Sequence, residues 1–439
     1  MKENMIKHRD LTEGFHRLSR QERLNRVQTI CGLTNEDLRV LTGETQLSSE
    51  VAEHLIENVV GYFPIPLGLA TNFKIDEQEV LIPMAVEETS IVAASSATAK
   101  WVAREGFIRT STRGRLIIGQ IQIPQIQNRE RVQEVSRKLE SSREQILEAA
   151  NCFVPGLVER GGGIVNLQVR ELSRSDDDGS MLVIHLLCDA KDAMGANLIN
   201  QVCEGVKPLI EELTGEKVGL CILSNLVDTK LAVAEVRVRG VDPEVGKGIQ
   251  EAAIFAKSDP YRAATHNKGV LNGIDPILIA TGNDWRAVEA GAHAYASRSG
   301  TYQPLTDWKM EGTDLVGRIE LPMSVGVVGG VTRVHPTARV ALKILGNPSG
   351  DALGRICAAV GLVQNLGALK ALATVGIVKG HMQLHTTNLA LAAGAELHEI
   401  SQVKEKLVEA LRVEKRVNLS RAREILEALR VARGSSVSI

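Results

Sequence analysis

Apolar and polar positions along the chain follow patterns that change from one region to the next. Ser19 with Glu22 and Thr34 with Asp37 form two capping boxes ahead of apolar residues at helical spacing, which predicts a helical entry segment. Residues 80–106 predict a strand, a turn and a long helix that ends at a glycine. Small residues line that helix. They indicate a central helix enclosed by other elements, and the alternative is an alanine-rich surface helix.

The region 116–224 carries the clearest topological signal. Residues 116–123 alternate as in a strand, and the charged run 128–151 has helical spacing. Strands follow on both sides of the turn SRSDDDGS, a helix begins near Gly195, and KVGLCILSNL predicts a last strand. The order β-α-β-β-α-β is the split ferredoxin-like arrangement rather than a Rossmann unit. We therefore expect residues 116–224 to form a small domain inserted into a larger one.

Helical patterns alternate with glycine-punctuated loops from there to about residue 375, and residues 399–433 predict two amphipathic helices. The apolar faces of these helices carry Leu407, Leu411, Ile425, Leu426 and Leu429. The predicted fold class is therefore α+β, with two or three domains in 439 residues.

Composition narrows the possible functions. The net charge is -2 and no basic tract stands beside aromatic residues, so a nucleic-acid partner is not expected. No uninterrupted apolar run reaches the roughly 20 residues that span a bilayer, and the polar start lacks a signal-peptide core. The six cysteines are scattered without a CxxC pair, which favours reduced core thiols. These features predict a soluble, cytosolic protein that binds no membrane.

The segment DAKDAMGANLINQ places Asp192, Gly195 and Asn197 at the start of the second helix of the small domain. Free main-chain N–H groups and the helix dipole at that position suit a pyrophosphate, and Gly195 lets a ligand approach the backbone. The alternative is that these residues serve only as a helix cap.

The segment DPYRAATHNKGVLNGIDP is dense in polar residues and has little apolar periodicity, which predicts a ligand-binding loop. Its polar residues are Arg262, Thr265, His266, Asn267, Lys268 and Asn272. Lys268, if partly desolvated, offers a positive charge that could stabilise an oxyanion. The alternative interpretation is a solvated surface turn.

Two carboxylates stand at predicted helix starts. Glu88 precedes the small-residue helix, close to Ser90, and would act as a proton donor only if burial raised its pKa. The helix of TGNDWRAVEAGAHAYA begins at Asn283 or Asp284. Dipole compensation or capping explains either position without any catalytic role.

His381 and His385 lie one helical turn apart, a spacing that could bind zinc. A zincin would have Glu directly after the first histidine, where this chain has Met382. A proton-donating histidine is therefore favoured over a metal ligand, and no metal site is predicted.

Six motifs occur in one order: ENVVG, PMAVEETSIVAA, DAMGAN, DPYRAATHNKG, TGNDW and GHMQLH. This series resembles that of the 3-hydroxy-3-methylglutaryl-coenzyme A (HMG-CoA) reductases, and it is most similar to the soluble class II enzymes of bacteria and archaea. The resemblance covers nearly the whole chain. It implies reductive deacylation of HMG-CoA to mevalonate and coenzyme A by two hydride transfers from NADPH or NADH, or the reverse oxidation.

The resemblance also implies roles for individual residues. Lys268 matches the group that stabilises the oxyanion, and Glu88 the acid that protonates the aldehyde oxygen. Asp284 matches the carboxylate that joins both in one hydrogen-bonded network. His381 matches the residue that protonates the departing thiolate, while His385 is a structural neighbour.

Binding residues follow from the same motifs. The substrate-binding positions implied are Ser90, Asn225, Arg262, Thr265 and Asn272. The dinucleotide-binding positions implied are Asp192, Met194, Gly195, Ala196 and Asn197. Residues 151–154 contain no acid that would reject a 2′-phosphate, so use of NADPH, alone or together with NADH, is expected.

The family architecture implied is a large substrate-binding domain, residues 1–115 and 225–375, around a central helix. Residues 116–224 would be the dinucleotide-binding domain and residues 376–439 a mobile helical flap. Family members form homodimers with shared active sites, often assembled into hexamers. Two alternatives are a non-catalytic protein that binds coenzyme A and dinucleotide, and a zinc hydrolase. The joint presence of all four catalytic residue types argues against the first, and the second predicts bound metal.

Overall fold

The computed structural model describes residues 12–45, 47–174, 179–374, 386–414 and 417–435. Within these ranges the chain is a mixed α/β protein with a six-stranded and a four-stranded sheet. Each sheet packs against helices and has its own apolar core.

The strands, in chain order, are β1 (Leu67–Ile75), β2 (Gln78–Ala85), β3 (Gly106–Gly114), β4 (Leu116–Ile126), β5 (Gly163–Ser173), β6 (Ser180–Asp189), β7 (Cys221–Ser224), β8 (Lys230–Val238), β9 (Thr306–Glu311) and β10 (Asp314–Pro322). The helices are α1 (Arg20–Cys31), α2 (Asn35–Thr42), α3 (Ser49–Leu55), α4 (Ile91–Glu105), α5 (Arg129–Ser141), α6 (Arg143–Asn151), α7 (Pro155–Glu159), α8 (Ala196–Thr214), α9 (Pro243–Ser258), α10 (Pro260–Ala280), α11 (Trp285–Ala296), α12 (Gly330–Val334), α13 (Pro336–Ile344), α14 (Gly350–Ala373), α15 (Ile400–Glu414) and α16 (Leu419–Ser435).

The six-stranded sheet has the order β2-β1-β3-β8-β10-β9. Its neighbouring strands are antiparallel except β1 and β3, which are parallel. β8 lies inside the sheet, where Val236 is opposite both Ile108 of β3 and Gly317 of β10. Because β8 is buried along most of its length, the residues at its start lie close to the interior.

The enclosed central helix is α14, not the small-residue helix that the sequence indicated. That helix, α4, buries one face only, whereas most residues of α14 are buried. Glycines let α14 approach α10 closely: a Cβ on Gly361 would lie 2.8 Å from Ile274, and one on Gly273 would lie 2.8 Å from Gln364. By length and composition α14 could cross a membrane, but 67% of its apolar window is buried, as in a core helix.

The four-stranded sheet is antiparallel, with the order β5-β6-β4-β7, and its apolar core includes residues of α5, α6 and α8. Its strands and longer helices lie at the segments that the sequence predicted, with three differences. The short helix α7 (Pro155–Glu159) was not predicted. The charged run 128–151 forms two helices, because the chain leaves helical geometry at Ser142. The last strand spans four residues, so it is shorter than expected.

Both ends of the described chain follow the sequence predictions. The capping boxes at Ser19 and Thr34 are confirmed. Asp37 also accepts a hydrogen bond from Lys343 at 2.6 Å, which links α2 to α13. α15 and α16 pack against each other through apolar residues that include Leu407 and Leu426.

The cysteines only partly fit the prediction of core thiols. All six are free, and Cys188, Cys203 and Cys357 are buried. Cys31 and Cys221 are half-buried, and Cys152 is exposed, so the prediction is wrong for Cys152.

Candidate active site

A salt bridge between Lys268 and Glu88 lies at the centre of the candidate site. Lys268 Nζ is 2.9 Å from Glu88 Oε2, although 180 positions separate the two residues in the sequence. Their side chains are 61% and 44% exposed. The ammonium group is therefore held beside a carboxylate and remains accessible to a ligand.

Lys268 lies on the helix α10, so the predicted loop is wrong. Asp259 caps this helix by accepting a hydrogen bond from the Tyr261 N–H at 3.0 Å, and Pro260 occupies the first turn. A rigid helix, rather than a loop, therefore positions the lysine.

Two polar residues that obscured the helical pattern belong to the core. His266 Nε2 lies 2.6 Å from Thr306 Oγ1, and burial lowers the pKa of His266 to about 4. The buried Asn267 side chain donates to the Gln303 carbonyl at 2.9 Å and accepts from the Leu305 N–H at 2.8 Å. Their polar groups therefore anchor α10 to β9 and to the segment that precedes it.

The remaining polar residues of α10 lie along one side of the helix. At 100° per residue, Thr265, Lys268 and Asn272 fall within a narrow face, and Arg262 borders it. Arg262 is half-buried, and burial lowers the pKa of its guanidinium group. In the part of the chain that the structure describes, Arg262 forms no ion pair, so its donors remain available to an anion.

Ser90, the N-cap residue of α4, has an unusual backbone conformation. Its φ of 80° is in the left-handed region, which a non-glycine residue rarely adopts, and its side chain makes no cap hydrogen bond. Its Oγ is buried, and no group in the described part of the chain forms a hydrogen bond with it. Backbone strain and an unpaired buried hydroxyl are both typical of ligand-binding positions. The turn that carries Ser90 also carries Glu88.

Asp284 is the N-cap of α11, as predicted. Its Oδ1 accepts from the Ala287 N–H at 3.2 Å and lies 3.3 Å from Arg286 Nη2. Among the described residues of this single chain, it forms no ion pair with Lys268. The structure therefore brings Lys268 and Glu88 together and leaves Asp284 at a separate helix start.

The N-terminus of α8 is open to a ligand. The helix begins after Gly195, as predicted, and no side chain caps it. Gly195 has a φ of 86°, and a Cβ there would lie 2.5 Å from Ile117 Cδ1 and 2.9 Å from the Ala190 Cβ. Glycine is therefore required both by conformation and by space. Ala196 and the exposed Asn197 provide the first free N–H groups of a 19-residue helix.

The loop ahead of α8 contacts the segment that follows β10 and the start of α14. Asp192 Oδ1 accepts from the Gly350 N–H at 2.8 Å, so this side chain caps α14 rather than α8. The Val327 N–H donates to the Asp192 carbonyl at 2.9 Å. Gly326 lies so close that a Cβ on it would be 2.4 Å from the Met194 nitrogen.

A narrow crevice joins this loop to Asn225. It is lined by Ile117, Ile118, Met194, Ala196, Ile199, Leu223, Ser224, Asn225, Val227 and Ser324. Its lining therefore includes two of the predicted dinucleotide-binding residues and one predicted substrate-binding residue, whereas Lys268 and Glu88 do not line it.

Two further residues were missed by the sequence analysis. Asn283 Oδ1 accepts from the Gly326 N–H at 2.8 Å and so connects the start of α11 to the segment after β10. A Cβ on Gly326 would lie 2.4 Å from the Met194 nitrogen, so this segment contacts the loop ahead of α8. Lys230, at the start of β8, is a buried lysine, 3% exposed. Since the polar residues Asp228 and Thr229 directly precede it, no sequence pattern indicated its burial.

His381 and His385 lie outside the described residues, so the structure does not test their roles. Among the residues that it describes, no group of three or more His, Cys, Asp and Glu could hold a metal ion.

Comparisons with a family model, with individual proteins and with solved structures all give the same enzyme family. The family model described as hydroxymethylglutaryl-coenzyme A reductase matches residues 19–386. The 3-hydroxy-3-methylglutaryl-coenzyme A reductase of Archaeoglobus fulgidus is 47% identical over 423 residues, which are 95% of this chain and 94% of that protein. A probable enzyme of the same name from Borreliella burgdorferi is 31% identical over 88% of each chain.

Solved structures from Streptococcus pneumoniae are similar as well. One 3-hydroxy-3-methylglutaryl-coenzyme A reductase matches with a TM-score of 0.79 and 40% identity, covering 95% of this chain and 99% of that one. A class II enzyme bound to NADPH in open conformations matches with a TM-score of 0.78 and 40% identity, covering 83% and 100%.

Proposed function

Because the chain belongs to the hydroxymethylglutaryl-coenzyme A reductase family, we propose that it converts HMG-CoA to mevalonate and coenzyme A with two NAD(P)H, or runs the reverse oxidation. The observation that carries this proposal is the 2.9 Å contact between Lys268 and Glu88. It places a fixed cation beside a potential proton donor, as stepwise reduction of a thioester requires.

Lys268 stabilises the negative charge on the acyl oxygen after hydride adds to the thioester carbonyl carbon. Collapse of that tetrahedral species breaks the C–S bond, and His381 protonates the departing thiolate. Glu88 then donates a proton to the aldehyde oxygen as the second hydride reaches its carbon. Two NAD(P)H molecules, bound one after the other, would each supply one hydride. Asp284 completes the network around the lysine.

Glu88 needs a less polar environment for this role than the single chain provides. At 44% exposure its carboxyl group is solvated, and a proton donor at neutral pH needs a raised pKa. We propose that a partner subunit and residues 376–439, acting as a mobile flap, cover the site when ligands bind. Closure would also exclude water from the thioester.

The acyl group has complementary partners along α10 and at the start of α4. The Arg262 guanidinium, which forms no ion pair within the described ranges, suits the free carboxylate of the substrate, because its planar donors can bind both oxygens. The unpartnered Ser90 hydroxyl offers a further hydrogen bond. Thr265, Asn272 and Asn225 present polar groups around the same ligand.

The dinucleotide is assigned to the open N-terminus of α8, where Gly195, Ala196 and Asn197 meet its pyrophosphate. Asp192 and Met194 shape the loop beside it. The expected cofactor is NADPH or NADH. Asn151 is the last residue of α6. Its side-chain amide donates to the Ile164 carbonyl at 2.9 Å, and its Oδ1 accepts from the Ile164 N–H at 2.8 Å. No charge at this position opposes a 2′-phosphate.

We propose that the two sheets belong to two domains. The strands β4 to β7 would form the ferredoxin-like dinucleotide-binding domain, residues 116–224. The large domain, residues 1–115 and 225–375, would surround α14 and bind HMG-CoA. With this division the chain passes between the two domains twice, at residues 115–116 and at residues 224–225.

We also propose a homodimer with active sites at its interface, with a hexamer as the larger assembly. A run of exposed apolar side chains ahead of β1 supports this, because such a patch marks a protein interface. These residues are Ile56, Val60, Tyr62, Phe63 and Ile65. The separation of Asp284 from Lys268 within one chain fits a site completed by a partner subunit. The free thiols and the burial of α14 support a cytoplasmic location.

An assay of purified protein with HMG-CoA tests the function directly. We expect two equivalents of NADPH or NADH to be oxidised for each thiol released, measured by absorbance and a thiol reagent. Folded protein that oxidises neither cofactor would refute the proposal. Retention of activity after chelation would separate this reaction from zinc hydrolysis.

A further inference from the structure

His266 is a buried histidine with one ring nitrogen that lacks a partner. The residue is 1% exposed, and its Nε2 lies 2.6 Å from Thr306 Oγ1. Its Nδ1 is also buried, yet no group in the described part of the chain forms a hydrogen bond with it. A buried polar atom without a partner is unfavourable, and native structures contain few of them. This nitrogen therefore needs an explanation beyond the attachment of α10 to β9.

The hydrogen bonds around Thr306 decide which nitrogen of His266 carries the proton. Trp308 Nε1 can only donate, and it donates to Asn365 Oδ1 at 2.8 Å. The Thr306 hydroxyl donates to the same oxygen at 2.9 Å. Because this donation uses the one hydroxyl proton, Thr306 Oγ1 must accept from His266 Nε2. Burial lowers the pKa of His266 to about 4, so the ring is neutral at pH 7 and its Nδ1 is an unprotonated acceptor.

Arg262 lies one turn before His266 on α10. Residues four positions apart are about 40° from each other around a helix and are neighbours on its surface. Helical side chains lean towards the N-terminus, so the His266 ring leans over the turn that carries Arg262. On its other side, Arg262 borders the face that carries Thr265 and Lys268. Arg262 therefore lies between the unpaired nitrogen and the ligand-facing side of α10.

A second pair in this protein shows how a neutral histidine holds an arginine. Arg170 Nη1 lies 3.2 Å from His185 Nε2 in the smaller sheet, and His185 is 8% exposed. Because arginine can only donate, that histidine nitrogen accepts. A histidine acceptor orients a guanidinium group and leaves its charge intact, whereas a carboxylate would neutralise the charge. An arginine that must bind an anionic ligand is therefore better oriented by histidine than by an acid.

We propose that His266 is a positioning residue for Arg262: its Nδ1 accepts from the guanidinium group when the substrate binds and aims the remaining donors at the free carboxylate of the substrate. The bond orders a long side chain and keeps its full positive charge for the ligand. His266 itself touches no reacting atom. This inference rests on the proposed role of Arg262 in binding HMG-CoA.

Two replacements separate the roles of the two ring nitrogens. His266→Gln keeps an amide that reaches Thr306 but has no acceptor at the Nδ1 position, whereas His266→Asn keeps an acceptor near Nδ1 and is too short to reach Thr306. The glutamine variant should raise the KM for HMG-CoA about tenfold, as expected for one lost hydrogen bond to a charged group. Its kcat and its KM for NAD(P)H should stay within about twofold. The asparagine variant should show the opposite result, a near-normal KM and a lower melting temperature.

Arg262→Ala provides the background that distinguishes positioning from a structural role. If His266 acts through Arg262, adding His266→Gln to Arg262→Ala should not raise the KM for HMG-CoA any further. The same increase in both backgrounds would overturn the inference. His185→Gln, which replaces the buried histidine of the smaller sheet, is the matched control and should leave the KM for HMG-CoA unchanged.

NMR of the wild-type protein with isotope-labelled histidine side chains tests the same bond directly. The Nδ1 signal of His266 can be assigned with whichever of the two variants folds. Saturating mevalonate, which carries a free carboxylate, should shift this signal as the nitrogen accepts a hydrogen bond, and coenzyme A alone should not. An unshifted signal with mevalonate bound, or a protonated Nδ1 in the free protein, would overturn this inference. Folded wild-type protein that does not turn over HMG-CoA would instead refute the proposed function.

Discussion

Lys268 on α10 and Glu88 in the turn before α4 form a salt bridge of 2.9 Å. Since both side chains are largely exposed, the contact contributes little to folding, about 0–1 kcal/mol for a pair of this kind. We therefore expect this contact to matter for catalysis rather than for stability, and replacing Lys268 tests that expectation.

Lys268→Ala should lower kcat roughly 10²- to 10³-fold, because the variant loses the cation that stabilises the oxyanion. The melting temperature should remain close to that of the wild type. Lys257→Ala is the matched control, since Lys257 pairs with Asp307 at the same 2.9 Å and with similar exposure but belongs to α9 and pairs with β9. A near-normal rate for Lys268→Ala would remove the lysine from its assigned role.

Ser90→Ala should raise the KM for HMG-CoA about tenfold without lowering stability, because the Ser90 Oγ has no hydrogen-bond partner among the residues that the structure describes. Ser95→Ala is the contrasting variant on the same helix. The Ser95 Oγ donates to Gln364 Oε1 at 2.5 Å in the core, so its loss should cost about 1–3 kcal/mol of unfolding free energy and leave the KM unchanged. Steady-state kinetics and chemical denaturation distinguish the two, and equal KM values for both variants would contradict a substrate role for Ser90.

Gly195→Ala should weaken dinucleotide binding and cost about 1–2 kcal/mol of stability, because alanine is strained at a φ of 86° and its Cβ would meet Ile117. Gly312→Ala, in the hairpin between β9 and β10, carries the same type of strain at a φ of 64° with nothing within 4 Å of the added Cβ. The control should lose some stability but keep the wild-type affinity for NADPH. Titration by fluorescence measures the difference.

Asp275 should make the protein less stable as the pH rises from about 4 to 8. Burial, followed by the neighbouring Glu289 carboxylate, raises the pKa of Asp275 to about 8. The folded state therefore binds its proton more tightly than the unfolded chain does, and this stabilisation is lost as the pH increases through the folded pKa.

Asp275→Asn removes that titration while leaving a neutral side chain of the same shape. We expect the stability advantage of the variant over the wild type to grow by roughly 4 kcal/mol between pH 5 and pH 9, about 1.4 kcal/mol for each pH unit up to the folded pKa, measured by urea denaturation. A constant difference at both pH values would contradict the shifted pKa.

Local features of the fold could be predicted because they depend on neighbours in sequence. The capping boxes at Ser19 and Thr34, the helix start at Gly195 and the strands of the smaller sheet all follow from short-range hydrogen bonding and side-chain periodicity. The prediction failed at α10 because His266 and Asn267 are polar residues whose partners lie about 40 positions away. A single sequence does not reveal that such residues are buried.

The sequence by itself determined the chemical groups of the site, their order along the chain and the local geometry of each helix start. Only the tertiary structure decided that Glu88 meets Lys268, that Asp284 stands apart within one chain, and that Lys230 is buried. The physical reason is that these relations depend on how two sheets and α14 pack together. Burial and long-range electrostatics arise from that packing and have no counterpart in local pattern.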